Sequence, residues 1–132
     1  MSGARVIGKV LLVDDEPDIR RIGQLSLARV GRWQVAVAAS GAEALEVAAR
    51  ERPDVILLDV MMPVDDGPTT LARLRERPDT ADIPVIFMTA KVLPHELQRW
   101  RELGAAGTIP KPFDPMTLPD EVRRVLAAAE AP

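Results

Sequence analysis

Val55-Ile56-Leu57-Leu58 is an unbroken apolar run that ends on a single carboxylate, Asp59, and a loop containing Pro63 and Gly67 follows. A run of this length without polar interruption suits a strand covered on both faces, as in a parallel sheet. Lys9-Val10-Leu11-Leu12-Val13 and Val85-Ile86-Phe87-Met88 are of the same kind. The first runs into Asp14-Asp15-Glu16-Pro17 and the second into Thr89. Open α/β sheets place their chemistry at the carboxyl ends of their strands, so each run delivers polar groups to the edge where a site belongs.

The stretches between these runs read as helices. Residues 17–30 have a helical pattern, with Ile19, Ile22 and Leu25 on one side and Gly31 as the stop. Trp33 to Ala38 reads as a short strand. Ser40 followed by Glu43 is a capping box opening a helix to about Arg50. Pro68 suits the first position of a helix carrying Leu71 and Leu74, which ends near Arg77. Leu93, Leu97 and Trp100 recur at helical spacing before Gly104, and Ala105 to Ile109 is a short fifth strand. Asp114-Pro115 reads as an N-cap with proline at the first helical position, opening a helix faced by Leu118, Val122, Val125 and Ala129.

Five strands alternating with five helices imply right-handed crossovers and a parallel sheet covered on both sides. The expected fold is therefore α/β and doubly wound, with strand order 2-1-3-4-5. That order brings Asp14, Asp15, Asp59, Thr89 and Lys111 to one edge. At 132 residues the chain suits one domain over 1–132, with a core of about 8–129 and no room for an output domain. A net charge of −3 leaves no footprint for direct nucleic-acid binding, and the absence of Cys excludes a disulfide framework or a thiolate zinc site. No apolar run approaches the ~20 residues of a membrane span, and there is no signal-peptide segment, so a cytoplasmic location without membrane contact is expected.

Three neighbouring carboxylates stay ionised together only where a cation compensates them. Oxygen ligands without His or Cys favour a hard cation such as Mg²⁺. Lys111 adds a compact positive charge for a phosphoryl oxygen, and Thr89 a hydroxyl donor. A carboxylate held among a metal, an ammonium and a hydroxyl is equipped to accept a phosphoryl group.

Leu12-Val13-Asp14-Asp15-Glu16, Leu57-Leu58-Asp59-Val60-Met61-Met62-Pro63, Asp66-Gly67, Met88-Thr89-Ala90 and Lys111-Pro112-Phe113 occur in this order and with these gaps. In that combination the chain resembles the receiver domain of bacterial two-component response regulators, over nearly its whole length. The resemblance implies a flavodoxin-like doubly wound sheet and a switch thrown by phosphorylation of Asp59. It implies direct Mg²⁺ ligation by Asp15, ligation by Asp14 mainly through water, and completion of the protein ligands by Asp59 and the main-chain carbonyl of Met61. Lys111 would bind the phosphoryl group, aided by a cis peptide before Pro112, and Thr89 would move toward it past the small Ala90. The donor would be a phosphohistidine on a sensor histidine kinase or a histidine phosphotransfer protein. The output would pass through the face of helix 4, strand 5 and helix 5 to a separate effector protein.

Two positions depart from the family pattern. Thr108 stands where an aromatic switch residue is common, and Asp65, which is expected to add negative charge near the site, stands where an apolar residue is common. Trp100 is a candidate substitute for the missing aromatic, although its helical spacing better suits a core or half-buried face residue; His95, Arg99 and Arg101 suit a solvated helix face and Met62 a core filler. Three other classes share parts of this pattern. An aspartyl-phosphate hydrolase needs a second Asp two residues after the nucleophile, where this chain has Met61. A flavin carrier needs a phosphate cradle where this chain has acids. A pseudo-receiver, a docking module that signals without phosphate, shares the fold but has no need of the acid, threonine and lysine set.

Overall fold

The structure is a computed structural model describing residues 6–90 and 93–130; the first five and last two residues of the expected 1–132 span lie outside the described residues. Strands β1 (Lys9–Val13), β2 (Gln34–Ala38), β3 (Val55–Asp59), β4 (Val85–Thr89) and β5 (Gly107–Pro110) form one parallel sheet in the order β2-β1-β3-β4-β5. Helices α1 (Pro17–Leu25), α2 (Gly41–Glu51), α3 (Gly67–Glu76), α4 (Pro94–Glu102) and α5 (Leu118–Glu130) cover it. The α/β doubly wound architecture and its strand order match the sequence expectation.

Alternation along the strands divides the core between the two faces. Leu11, Val13, Ile56, Leu58, Val85 and Phe87 pack toward Ala44, Val47 and Ala48 of α2, Leu71 and Leu74 of α3, and Trp100 of α4. Val10, Leu12, Val55, Leu57, Ile86, Met88 and Ile109 pack toward Leu27, Leu118, Val122 and Leu126. Every residue of β3 and β4 is buried, which explains why these runs carry no alternation in the sequence.

Several local expectations are corrected. The helix expected over 17–30 is α-helical only to Leu25 and widens into a π-helical turn, Ser26–Val30, closed by the Gly31 N–H donating to the Ser26 carbonyl at 3.1 Å. Its inward stripe is Gly23, Ser26 and Leu27, while Ile22 and Leu25 each remain 43% exposed. The cause is close approach: a Cβ on Gly23 would stand 2.6 Å from Leu12 Cδ2, so the helix lies on β1 through its glycine rather than its isoleucines. Gly31 does not stop the helix by a left-handed conformation, since its φ is −75°. It is there for space, because a Cβ would meet the Leu27 carbonyl oxygen at 2.6 Å; Arg32 takes the positive φ of 61° instead.

β5 begins two residues later than expected. Ala105 donates to the Trp100 carbonyl at 3.0 Å, closing α4, before Ala106 reaches the Val85 carbonyl at 2.7 Å. Asp114-Pro115 opens a turn ahead of α5 rather than α5 itself: Asp114 accepts from the Met116 N–H at 2.9 Å, and its carbonyl accepts from Thr117 and Leu118. Pro119 has no N–H to return to the Pro115 carbonyl, and that carbonyl takes the buried Ser26 hydroxyl instead. The buried face of α5 is Leu118, Pro119, Val122 and Leu126; Val125 is half-buried and Ala129 exposed.

Candidate functional site

The register of the sheet builds the site. Val13 pairs with Leu58, so Asp14 and Asp59 are the next residues at the ends of adjacent strands. Asp59 pairs with Met88 and Thr89 with Pro110, which sets Thr89 and Lys111 at the same edge. Main-chain bonds fix the exits: Asp14 N–H to the Ala38 carbonyl at 3.1 Å, Val60 N–H to Met88 at 3.0 Å, and Lys111 N–H to Thr89 at 2.9 Å. Gly67 holds the loop after β3 against its own strand, because a Cβ there would stand 2.9 Å from both the Asp59 carbonyl oxygen and Val60 Cα. The Lys111–Pro112 peptide is cis, as the sequence reading expected.

The expected residues converge. Asp14, Asp59 and Thr89 are buried, and Asp15 and Lys111 are half-buried. One carboxylate oxygen from each of Asp14, Asp15 and Asp59 lies within 4.8 Å of the others. The Lys111 ammonium donates to Asp14 Oδ2 at 3.0 Å and stands 3.5 Å from Asp59 Oδ2. Asp59 Oδ1 accepts the Met61 N–H at 3.2 Å, and Asp14 Oδ1 accepts the Glu16 N–H at 2.9 Å. Met61 therefore faces the site through its main chain, with its side chain 76% exposed.

Burial, and then the charge of Asp14, push the Asp59 carboxyl up from 3.8 to about 6, against the opposing pull of Lys111 and the Met61 N–H. Burial draws Lys111 down, but its hydrogen bond to Asp14 and the charges of Asp14 and Asp59 outweigh that, so the ammonium is held above its ordinary range. One ammonium among three carboxylates leaves an excess of negative charge in a poorly hydrated place. An all-oxygen donor set with uncompensated charge fits a hard divalent cation.

Other expected residues fall elsewhere. Thr108 pairs with Phe87 on β5 and is half-buried on the sheet face rather than in the carboxylate cluster. Asp65 does not add free charge to the site, because Arg73 of α3 takes it at 2.9 Å. Trp100 is a core residue, packed edge-on against Phe87 with ring centroids 5.2 Å apart. Met62 is buried, while His95, Arg99 and Arg101 are exposed. One supporting contact was not anticipated: Arg20 Nη1 donates to the Asp14 carbonyl at 2.8 Å, tying α1 to the acid pair. An arginine one turn into a helix carries no sequence mark of such a role.

The response regulator receiver domain model matches residues 10–123. The chain is 40% identical over 124 residues to a probable transcriptional regulator ycf27 of Cyanophora paradoxa, covering 94% of this chain and 50% of that protein. It is 38% identical over 122 residues to the alkaline phosphatase synthesis transcriptional regulatory protein PhoP of Bacillus subtilis, covering 92% and 50%. The chain thus spans about half the length of these curated relatives. Among solved structures, the Vibrio cholerae chemotaxis protein CheY4 superposes with a TM-score of 0.84 at 37% identity, covering 92% of this chain and 100% of that one.

Proposed function

The chain belongs to the response regulator receiver domain family, and from that premise we propose that it is a phosphorylation-dependent switch whose phosphoacceptor is Asp59. The observation that carries this reading is the shared ammonium of Lys111, 3.0 Å from Asp14 and 3.5 Å from Asp59 at the rim where three carboxylates meet. A carboxylate oxygen of Asp59 attacks the phosphorus of a phosphohistidine. The O–P bond forms as the P–N bond breaks, and the imidazole leaves with a proton from solvent. Lys111 neutralises charge on the transferring group and Thr89 donates its hydroxyl to one of the phosphoryl oxygens. Asp14, Asp15, Asp59 and the main-chain carbonyl of Met61 would hold Mg²⁺, which supplies further neutralisation of the phosphoryl oxygens when bound.

The donor in this reading is a sensor histidine kinase or a histidine phosphotransfer protein in the cytoplasm. Residues 1–132 act as one receiver unit, and phosphorylation shifts a two-state equilibrium of the α4, β5 and α5 face that a separate effector reads. Thr108, without a ring, reports the change less directly than an aromatic residue would. No described helix is long and apolar enough to cross a membrane.

Intact-mass analysis after treatment with acetyl phosphate and Mg²⁺ tests the reading. The parent chain gains one phosphoryl group and Asp59→Asn gains none. Equal labelling of both, or of neither, refutes it, and labelling of neither returns the pseudo-receiver reading. Lys111→Ala keeps the fold and lowers phosphate-dependent signalling.

A further inference from the structure

The three acids of the site are not held alike. Asp14 is engaged at every polar atom: its N–H donates to the Ala38 carbonyl at 3.1 Å, Oδ1 accepts the Glu16 N–H at 2.9 Å, Oδ2 accepts the Lys111 ammonium at 3.0 Å, and its carbonyl accepts Arg20 Nη1 at 2.8 Å. Asp59 accepts the Met61 N–H and faces Lys111. Asp15 is half-buried, and its carboxylate has no hydrogen bond or ion pair among the described residues. No polar contact therefore aims the Asp15 carboxylate at the cluster, and its direction follows from its main chain.

That main chain is set by one peptide unit. The unit is planar, so the direction of the Asp14 carbonyl fixes the plane in which the nitrogen and Cα of Asp15 lie. β2 ends at Ala38, opposite Val13, so the ladder offers that carbonyl no further rung. Arg20 takes it from α1 instead. The base from which Arg20 reaches is itself fixed. Its N–H donates to the Glu16 carbonyl at 2.9 Å, and three residues on, a Cβ on Gly23 would stand 2.6 Å from Leu12 Cδ2, so α1 lies hard against β1. Ser26 then ties the far end of the helix to the Pro115 carbonyl. Arg20 is half-buried, which limits the competition of water for its bond.

We infer that Arg20 is a positioning residue: by holding the Asp14–Asp15 peptide it sets the aim of Asp15, and with it the affinity and choice of divalent cation at the carboxylate cluster. The inference rests on the metal reading of that cluster. Two consequences separate positioning from charge. As a neighbouring charge alone, the guanidinium opposes a divalent cation, and its removal tightens binding. As a positioning group, its removal loosens binding, by the ~10–100-fold typical of lost outer partners of metal ligands. The loss is also selective. Mg²⁺ demands near-octahedral geometry at short range, whereas Ca²⁺ accepts longer and more variable contacts, so a misaimed carboxylate harms Mg²⁺ more.

The test is a pair of ¹H–¹⁵N chemical-shift titrations of the full chain, one with Mg²⁺ and one with Ca²⁺, without a phosphate donor. Arg20→Met keeps the stem and removes the donor, and Arg20→Lys keeps a cation and a donor. Saturable shifts at the Asp14, Asp15 and Met61 amides are expected in the parent. Arg20→Met should weaken Mg²⁺ binding about tenfold or more and Ca²⁺ binding less than about threefold, with Arg20→Lys falling between it and the parent. In chelator, the Glu16 amide, which donates to Asp14, should exchange faster in Arg20→Met. If the methionine variant lacks a native spectrum, the lysine variant carries the same comparison of the two ions. Unchanged or tighter Mg²⁺ binding overturns the inference, as does an equal loss for both ions or an equal loss in both variants. A parent without saturable Mg²⁺ shifts overturns the metal reading beneath it, whereas a parent that binds and a variant that binds equally well overturn the role of Arg20 alone.

Discussion

Removing the charge of Asp59 should stabilise the metal-free chain. The carboxyl is held at about 6 when folded against an ordinary 3.8, because burial and Asp14 oppose its ionisation more than Lys111 and the Met61 N–H favour it. A raised carboxyl binds its proton more tightly in the folded state, so its contribution is fully present below about pH 4 and is lost as pH rises through about 6. At about 1.4 kcal/mol per tenfold, full ionisation costs the folded state up to about 3 kcal/mol, and water reaching the open rim reduces the working figure to ~2 kcal/mol. Asp59→Asn keeps the size and an oxygen acceptor for the Met61 N–H and drops the charge. Urea denaturation followed by circular dichroism, in chelator, from about pH 5 to about pH 8, should show the variant gaining on the parent as pH rises and levelling off above about pH 7. Mg²⁺ should then stabilise the parent more than the variant, because only the parent keeps all three carboxylates. A variant no more stable than the parent at pH ~7.5, or an offset that does not change with pH, refutes the claim that like-charge crowding and burial dominate at Asp59.

Val64 sits at φ 68° and is fully exposed, so a β-branched side chain is strained there without any packing in return. Val64→Asn should raise stability by about 1 kcal/mol and the melting temperature by a few degrees, while Val64→Ile should not. Gly41→Ala should cost ~1–3 kcal/mol in denaturant melts, because the new Cβ would stand 2.3 Å from Thr70 Oγ1 and 2.9 Å from Asp65 Cβ. Adding Thr70→Ala should recover part of that loss, giving a non-additive double-mutant cycle. Ser26→Ala removes the buried donor to the Pro115 carbonyl and should cost about 1–2 kcal/mol, with faster hydrogen exchange at the start of α5 as the local check.

The sheet was legible because its strands are buried on both faces. β3 and β4 are continuous apolar runs whose ends the sequence places to the residue. The acids and Thr89 were legible for the same reason, since they are the first polar residues after the apolar runs of β1, β3 and β4, whereas Lys111 follows the short β5, interrupted by Thr108, and was placed by the alternation of elements. The errors fall where packing against a particular neighbour overrode local pattern. Ile22 and Leu25 look like the core face of α1, but Gly23 lets the helix approach Leu12 and turns them outward. Asp114-Pro115 looks like a helix start, but Ser26, distant in sequence, takes the Pro115 carbonyl, and the helix waits until Leu118. Asp65 looks like free charge near the site until Arg73, eight positions on, is placed against it. Period and cap chemistry are local, whereas these three outcomes depend on what lies across the interface.

The two edges of the sheet are built differently, and the difference bears on how such a chain can switch. At the amino end, polar groups are satisfied across elements. Asp54 Oδ2 accepts the Gly8 and Lys9 N–H groups at 2.7 and 2.9 Å, Lys9 pairs with Glu51 at 2.9 Å, and Arg75 donates to the Ile83 and Gly104 carbonyls. The buried Thr80 hydroxyl donates to the Leu74 carbonyl at 2.7 Å. At the carboxyl end stand crowded acids, a strained Val64 and a buried Thr70 hydroxyl with no hydrogen-bond partner among the described residues. Strain and unpaired polarity lower the cost of rearranging the segments that carry them, whereas the tied edge raises it. On the proposed reading, a charge arriving at Asp59 would act on the half of the molecule whose alternatives are closest in free energy. On this argument, native-state hydrogen exchange should show the loop from Val60 to Asp66 opening at lower free energy than the strand starts at Lys9, Val55 and Val85. Uniform protection of both edges would contradict it.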